Sequence, residues 1–182
     1  MDRSNFVWDE FSWKTLVRLV PEGRTADGTA SDSTATPVSL HYAPEGRDDR
    51  PLDDAEIASV VWTVDNLPLL LDALLPAVFS YYQSICAAPD GLDPEDLPTV
   101  GAAKELQSLI RVQSIYVHQV SKDGRPYVGF ECACPWDDEH GLGVLMHGTR
   151  AVNVGGADTA FLLWIAERDS ELGQDSATPH VR

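Results

Sequence analysis

The feature that most limits what this chain can fold into is a run of period-two alternation over residues 112–154. Segments 112–120 (VQSIYVHQV), 126–134 (PYVGFECAC), 142–147 (LGVLMH) and 150–154 (RAVNV) each place apolar side chains at every second position, as half-buried strands do. They are joined by Lys122-Asp123-Gly124-Arg125, by the loop 135–141, and by the tight turn His147-Gly148-Thr149-Arg150. Connections this short leave no room for a crossover, so the four strands are expected to be antiparallel neighbours. Upstream, 12–20 and 38–42 alternate in the same way and add two strands. No regular strand–helix–strand alternation is visible. The expectation is an α+β fold, an antiparallel sheet of about five or six strands with helices packed mainly on one face.

The helices come from a change of period. Within 53–86, Ile57, Val60, Val61, Val64, Leu67, Leu71, Leu74, Leu75, Val78, Tyr82 and Ile85 recur at three and four, the spacing of one helical face. Asp65-Asn66 are capping residues and Pro68 suits a first turn, where its missing amide proton costs nothing, so the spacing predicts two helices divided there. Pro76 is expected to kink the second. A short helix follows around 101–110, and a last one over 159–167 with Asp158 as N-cap. The stretch 21–37 is rich in Gly, Ser, Thr and Asp without an apolar period and reads as a mobile loop, while 170–182 is a polar tail expected to be disordered. Residues 1–169 then make one domain, since 182 residues with 43% hydrophobic content suffice for a core without metal or disulfide staples.

Thirteen basic against 29 acidic residues give a net charge of −16. Such a charge repels phosphate backbones and anionic headgroups, and steers basic protein surfaces inward, though it equally serves plain solubility, the commoner cause. Neither nucleic acid nor membrane is expected as a partner. The apolar helical region is interrupted by Asp65, Asn66, Pro68, Asp72 and Pro76, and the first eleven residues, MDRSNFVWDEF, lack the basic start and apolar run of an export signal. Three cysteines, two of them one residue apart, make a poor disulfide framework and fit a reducing, cytoplasmic setting. The five tryptophans are spread over the chain and look like core or interface aromatics.

Chemistry concentrates in one place. Residues 131–147 contain Glu131, Cys132, Cys134, Asp137, Asp138, Glu139, His140 and His147. Cys132 and Cys134 are closer in sequence than zinc knuckles require, and as alternate residues of a strand they suit a core position instead. Asp137, Asp138 and Glu139 are consecutive, whereas calcium loops space their ligands alternately, so no metal site is assigned. Glu139 and His140, with His147, are the candidate catalytic residues, because a carboxylate beside an imidazole suffices for proton transfer. Trp136, Asp137, Glu139 and His140 are the candidate binding residues. No phosphate loop, dinucleotide fingerprint or nucleophile elbow is present, and no cofactor is expected. His118, alone in an alternating strand, reads as a hydrogen-bonded sheet residue.

The stretch CPWDDEHGLGVLMHGTRAVNVGGADTAF, residues 134–161, resembles the C-terminal signature of an uncharacterised family of small bacterial domains, with the pattern W-D-x-E-H-G-L-G-V, a hairpin, and a V-G-x-A-D-x-A-F-like close. Trp136, Asp137, Glu139, His140, Gly141, Gly143, Gly155, Asp158 and Phe161 match it, while Asp138 falls on a variable position. The resemblance implies no established activity. Small acidic domains of this kind recur among immunity and accessory proteins of bacterial toxin systems, which by analogy makes a non-enzymatic module binding a basic protein the leading expectation. A hydrolase or metal-dependent enzyme built on Glu139 and His140 is the alternative, and a purely structural loop is the third.

Overall fold

The computed structural model describes residues 1–19, 36–88 and 97–172. Seven strands form one sheet in sequential order: β1 (Val7–Trp8), β2 (Trp13–Leu19), β3 (Thr36–Tyr42), β4 (Arg111–Lys122), β5 (Arg125–Ala133), β6 (Leu142–His147) and β7 (Arg150–Gly155). Between β3 and β4 runs α1 (Asp54–Ala87), followed by a 3-10 turn (Ala103–Ser108) where the sequence predicts a short helix. After β7 come a second 3-10 turn (Ala157–Ala160) and α2 (Leu163–Glu171). The loop expected over 21–37 lies outside the described residues up to 35, and Thr36 and Pro37 already belong to β3. Likewise, the tail expected over 170–182 lies outside them from 173 onward.

The sheet is mixed, with seven strands, which corrects the expectation of a purely antiparallel sheet of five or six. The extra strand is β1, two residues long and too short to show a period. The parallel pair is β3 with β4, which sets Ser39 opposite Ser114 and Tyr42 opposite Val117. Its crossover is α1, so one strand–helix–strand unit is present after all, and the short connections of β4 to β7 are antiparallel as expected. Asp123 and Gly124, both at positive φ, close β4 onto β5 in the manner of an Asp-Gly hairpin.

A single 34-residue helix replaces the expected pair. Its start is fixed by a capping box: the Asp53 side chain accepts from the amides of Ala55 and Glu56, and Glu56 reaches back to the Asp53 amide. Asp65-Asn66 do not end it, and Asn66 instead donates to the Trp62 carbonyl. Pro68 and Pro76 both lie on the exposed side. Buried Val60, Leu67, Leu70, Leu74, Val78 and Tyr82 keep one face against the sheet past both prolines, which offsets the two lost helical hydrogen bonds. By length and composition alone α1 could cross a membrane. Here its buried face packs on the sheet.

Alternation then builds the two faces. Leu40, Ile115, Val117, Val128, Phe130, Val144 and Met146 meet α1 in the main core, where each fully buried side chain contributes about 1.5–3 kcal/mol. The opposite face carries Tyr127 and Leu145, which pack with Ile165 and Ala166 of α2 in a smaller cluster. The long helix therefore covers one face and the short helix part of the other. Asp158 does not cap α2, which begins at Leu163; the Leu163 amide donates to Glu45 Oε2 at 2.6 Å, from the loop after β3.

Candidate functional site

The turn between β5 and β6, residues 135–141, is held from inside by two of its own members. Trp136 is buried, its ring 4.7 Å from that of Tyr82 on α1. Asp137 shapes the turn: its Oδ1 accepts the His140 amide at 2.8 Å and lies 3.1 Å from His140 Nδ1, while its carbonyl accepts the Gly141 amide at 3.0 Å. Gly141 completes the turn at φ +65°. The His140 carbonyl accepts the Ala157 amide at 3.1 Å, tying the turn to the 3-10 segment beyond β7. These bonds occupy Asp137 within the turn. Asp138 and Glu139 are exposed, and the His140 side chain is 70% exposed.

Trp136, Asp137 and His140 thus come together, with Glu139 beside them on the outer side of the turn. His147 does not join them. It ends β6, roughly 17 Å further along the strand, with Nε2 2.8 Å from the Lys122 carbonyl and its ring 4.7 Å from Tyr127. Cys132 and Cys134 are buried in the core beneath α1, and burial pushes their thiols up to about 12 and about 11, which leaves both protonated. Among the described residues, no group of three or more His, Cys, Asp or Glu side chains is placed to hold a metal ion.

Gly143 of the signature and Gly129 of β5 have a shared geometric cause. The 3-10 segment Ala157–Ala160 lies directly on the sheet: a Cβ at Gly143 would stand 2.3 Å from the Gly156 oxygen, and one at Gly129 would stand 1.7 Å from the Ala160 oxygen. No larger residue fits beneath that backbone. Buried His118, on the same face, approaches the Ala160 carbonyl at 3.0 Å through Nε2, consistent with its expected sheet role.

Sequence reasoning missed a second polar group on that face. His41 of β3 stacks on Tyr116 of β4 at 5.2 Å, and the Tyr116 hydroxyl donates to Glu131 Oε2 of β5 at 2.7 Å. Ser12 Oγ lies 2.8 Å from His41 Nδ1, and Asp9 Oδ2 lies 3.7 Å from the same nitrogen. Burial lowers His41 despite Asp9, so it is neutral near pH 7; burial raises Asp9, but the amides of Ser12 and Phe11 outweigh it and hold the carboxyl below its usual range. Burial and the bond to Glu131 raise Tyr116. The group is no catalytic triad, because serine and aspartate address one ring nitrogen and not opposite ones. It assembles from four separate strands and turns, and no local pattern announces it.

Two concavities lie elsewhere, one of about 560 Å³ beneath α1 and one of about 130 Å³ beside Trp62, Asn66 and Arg125. Neither is lined by Glu139, His140 or His147. No curated protein and no solved structure was found to match the chain. A family described as a domain of unknown function, DUF6985, matches residues 18–162, a span that includes β3 to β7, α1, the glycine-floored segment and the 135–141 turn. With most of its length in that match, the chain belongs to this family of domains of unknown function.

Proposed function

We propose that the domain is a non-enzymatic protein-binding module, of the immunity or accessory kind found with bacterial toxin systems, which captures a basic partner through the turn 135–141. The observation that carries this reading is the division of labour within the turn. Trp136 and Asp137 are used up in holding it, while Asp138, Glu139 and His140 stand exposed on a fixed backbone. A pre-organised turn loses little conformational freedom on binding. The net charge of −16 adds long-range attraction for a cationic surface. The alternative of a hydrolytic or metal-dependent site on Glu139 and His140 has less support, because neither residue lines either concavity described above.

The test is capture of proteins encoded beside this one by the purified full chain, followed by salt-dependent association kinetics. A cognate partner is expected to associate faster at low salt, and Asp138→Lys with Glu139→Lys is expected to slow association at least tenfold while the melting temperature holds. Failure to capture any of those proteins at low salt, or capture that both charge reversals leave unchanged, overturns the reading.

A further inference from the structure

The larger concavity is separate from the turn and has a different chemistry. It lies between the middle of α1 and the strand ends where β2 leaves and β3 and β4 enter the sheet, and its volume of about 560 Å³ is within the small-ligand range of roughly 300–1,000 Å³. Val38, Leu67 and Leu74 are its buried walls; Leu19, Leu71, Ile110 and Val112 also line it yet remain only half-buried, although they belong to the edge of the main core. Among the described residues, that apolar surface lacks packing partners on one side. Exposed Arg18, Gln107 and Arg111 line it too, with Asp72 as the one carboxylate among the described lining residues. In a chain with 13 basic and 29 acidic residues, the Arg111 guanidinium at an apolar opening stands against the prevailing charge.

We propose that this concavity binds a free long-chain fatty acid, with the alkyl chain among Leu19, Val38, Leu67, Leu71, Ile110 and Val112 and the carboxylate at Arg111. Guanidinium and carboxylate pair in a bidentate fork, and Asp72 on the same rim favours a monoanion over a more highly charged headgroup. The interior supplies the affinity by removing alkyl surface from water, and the rim supplies the choice of headgroup. This site is independent of the acidic turn.

The experiment is calorimetric titration of the delipidated full chain with hexadecanoate below its aggregation concentration, with hexadecanol and hexadecyl phosphate as comparison probes. Saturable binding with one hexadecanoate per chain is expected, tenfold or more weaker for hexadecanol and for Arg111→Glu. Leu71→Trp, which fills the space, is expected to abolish binding with the circular dichroism spectrum retained; if that variant unfolds, Val112→Phe replaces it with the same expectation. Glu139→Lys is expected to bind hexadecanoate as the parent does, so failure here and failure of the turn reading are distinguishable. Absence of saturable binding, equal binding by the filled variants, or equal affinity for hexadecanol overturns the proposal. So does tighter binding of hexadecyl phosphate, or a concentration-dependent dimer that Leu71→Trp dissociates, which would assign the space to a second copy.

Discussion

The carbonyl oxygen of Ala160 occupies the space that a side chain at Gly129 would need, standing 1.7 Å from where a Cβ would be. The three atoms nearest that position all belong to the Ala160 backbone, so none can rotate away. Gly129→Ala is expected to destabilise the domain by about 3 kcal/mol, at the upper end of overpacking costs. Gly46→Ala is the control: Gly46 has φ +72° with nothing within 4 Å of where its Cβ would stand, and only the left-handed backbone cost of about 1 kcal/mol is expected. Chemical denaturation of the two variants checks the difference, and equal losses would remove the steric account.

His118 supports the same carbonyl and makes the fold sensitive to pH. Its Nδ1 is buried with no hydrogen-bond partner among the described residues, and burial holds the imidazole below its ordinary 6.5 despite the bond to Ala160 and the nearby Glu45. The unfolded chain takes up a proton near 6.5 that the folded chain resists, so stability is full above that pH and falls as the pH drops below it. Denaturation midpoints measured from about pH 7.5 to about 5.5 are expected to decline. His118→Gln, which keeps a donor for the Ala160 carbonyl, is expected to flatten the decline, and His41→Gln to remove a further share because burial lowers His41 as well.

Asp169 fastens α2 to the sheet and acts in the opposite pH range. It accepts from both Arg150 terminal nitrogens at 3.1 and 2.6 Å and from the Tyr127 hydroxyl at 2.7 Å. The Arg150 bonds, then the Tyr127 bond, hold its carboxyl down at about 2 from an ordinary 3.8. A depressed carboxylate stabilises the fold above about 3.8 and loses that contribution as the pH falls from about 4 toward 2. Because Arg150 is half exposed, solvent screening reduces the expected contribution to about 1 kcal/mol. Asp169→Asn is expected to lose that amount at pH 7 and to show a shallower acid transition, measured by circular dichroism.

Trp136 and Glu139 are three residues apart and should behave in opposite ways. Trp136→Ala leaves a cavity against Tyr82 and is expected to cost about 3–5 kcal/mol. Glu139→Ala, on the exposed side of the turn, is expected to change stability by less than about 0.5 kcal/mol. A pair of thermal melts decides it, and a large loss at Glu139 would show that the side chain is held by contacts of its own.

The antiparallel half of the sheet is legible because each strand from β4 to β7 meets its neighbour through a short turn, so alternation and connection length carry the whole pattern. The parallel pairing of β3 with β4 is not, since Ser39 and Ser114 meet only through the crossover and no local spacing records that register. Pro68 misleads for a related reason. A proline weakens a helix locally, but Val60, Leu67, Leu70, Leu74 and Val78 are buried against the sheet on both sides of it. Within the turn, the anchoring of Trp136 and the inward position of the cysteines follow from residue type and strand parity. The His41, Tyr116 and Glu131 group does not, because its members become neighbours only across strands.

The bond from the Leu163 amide to Glu45 sets an order of assembly. With nine residues, α2 is shorter than the roughly 12–15 that an isolated helix needs to persist in water. The acceptor for its first amide arrives from the loop after β3, on the far side of the parallel crossover in sequence. The helix is therefore expected to consolidate after that long-range closure, late in folding, and to open early in unfolding. Hydrogen exchange at the Leu163 amide reports that clock directly.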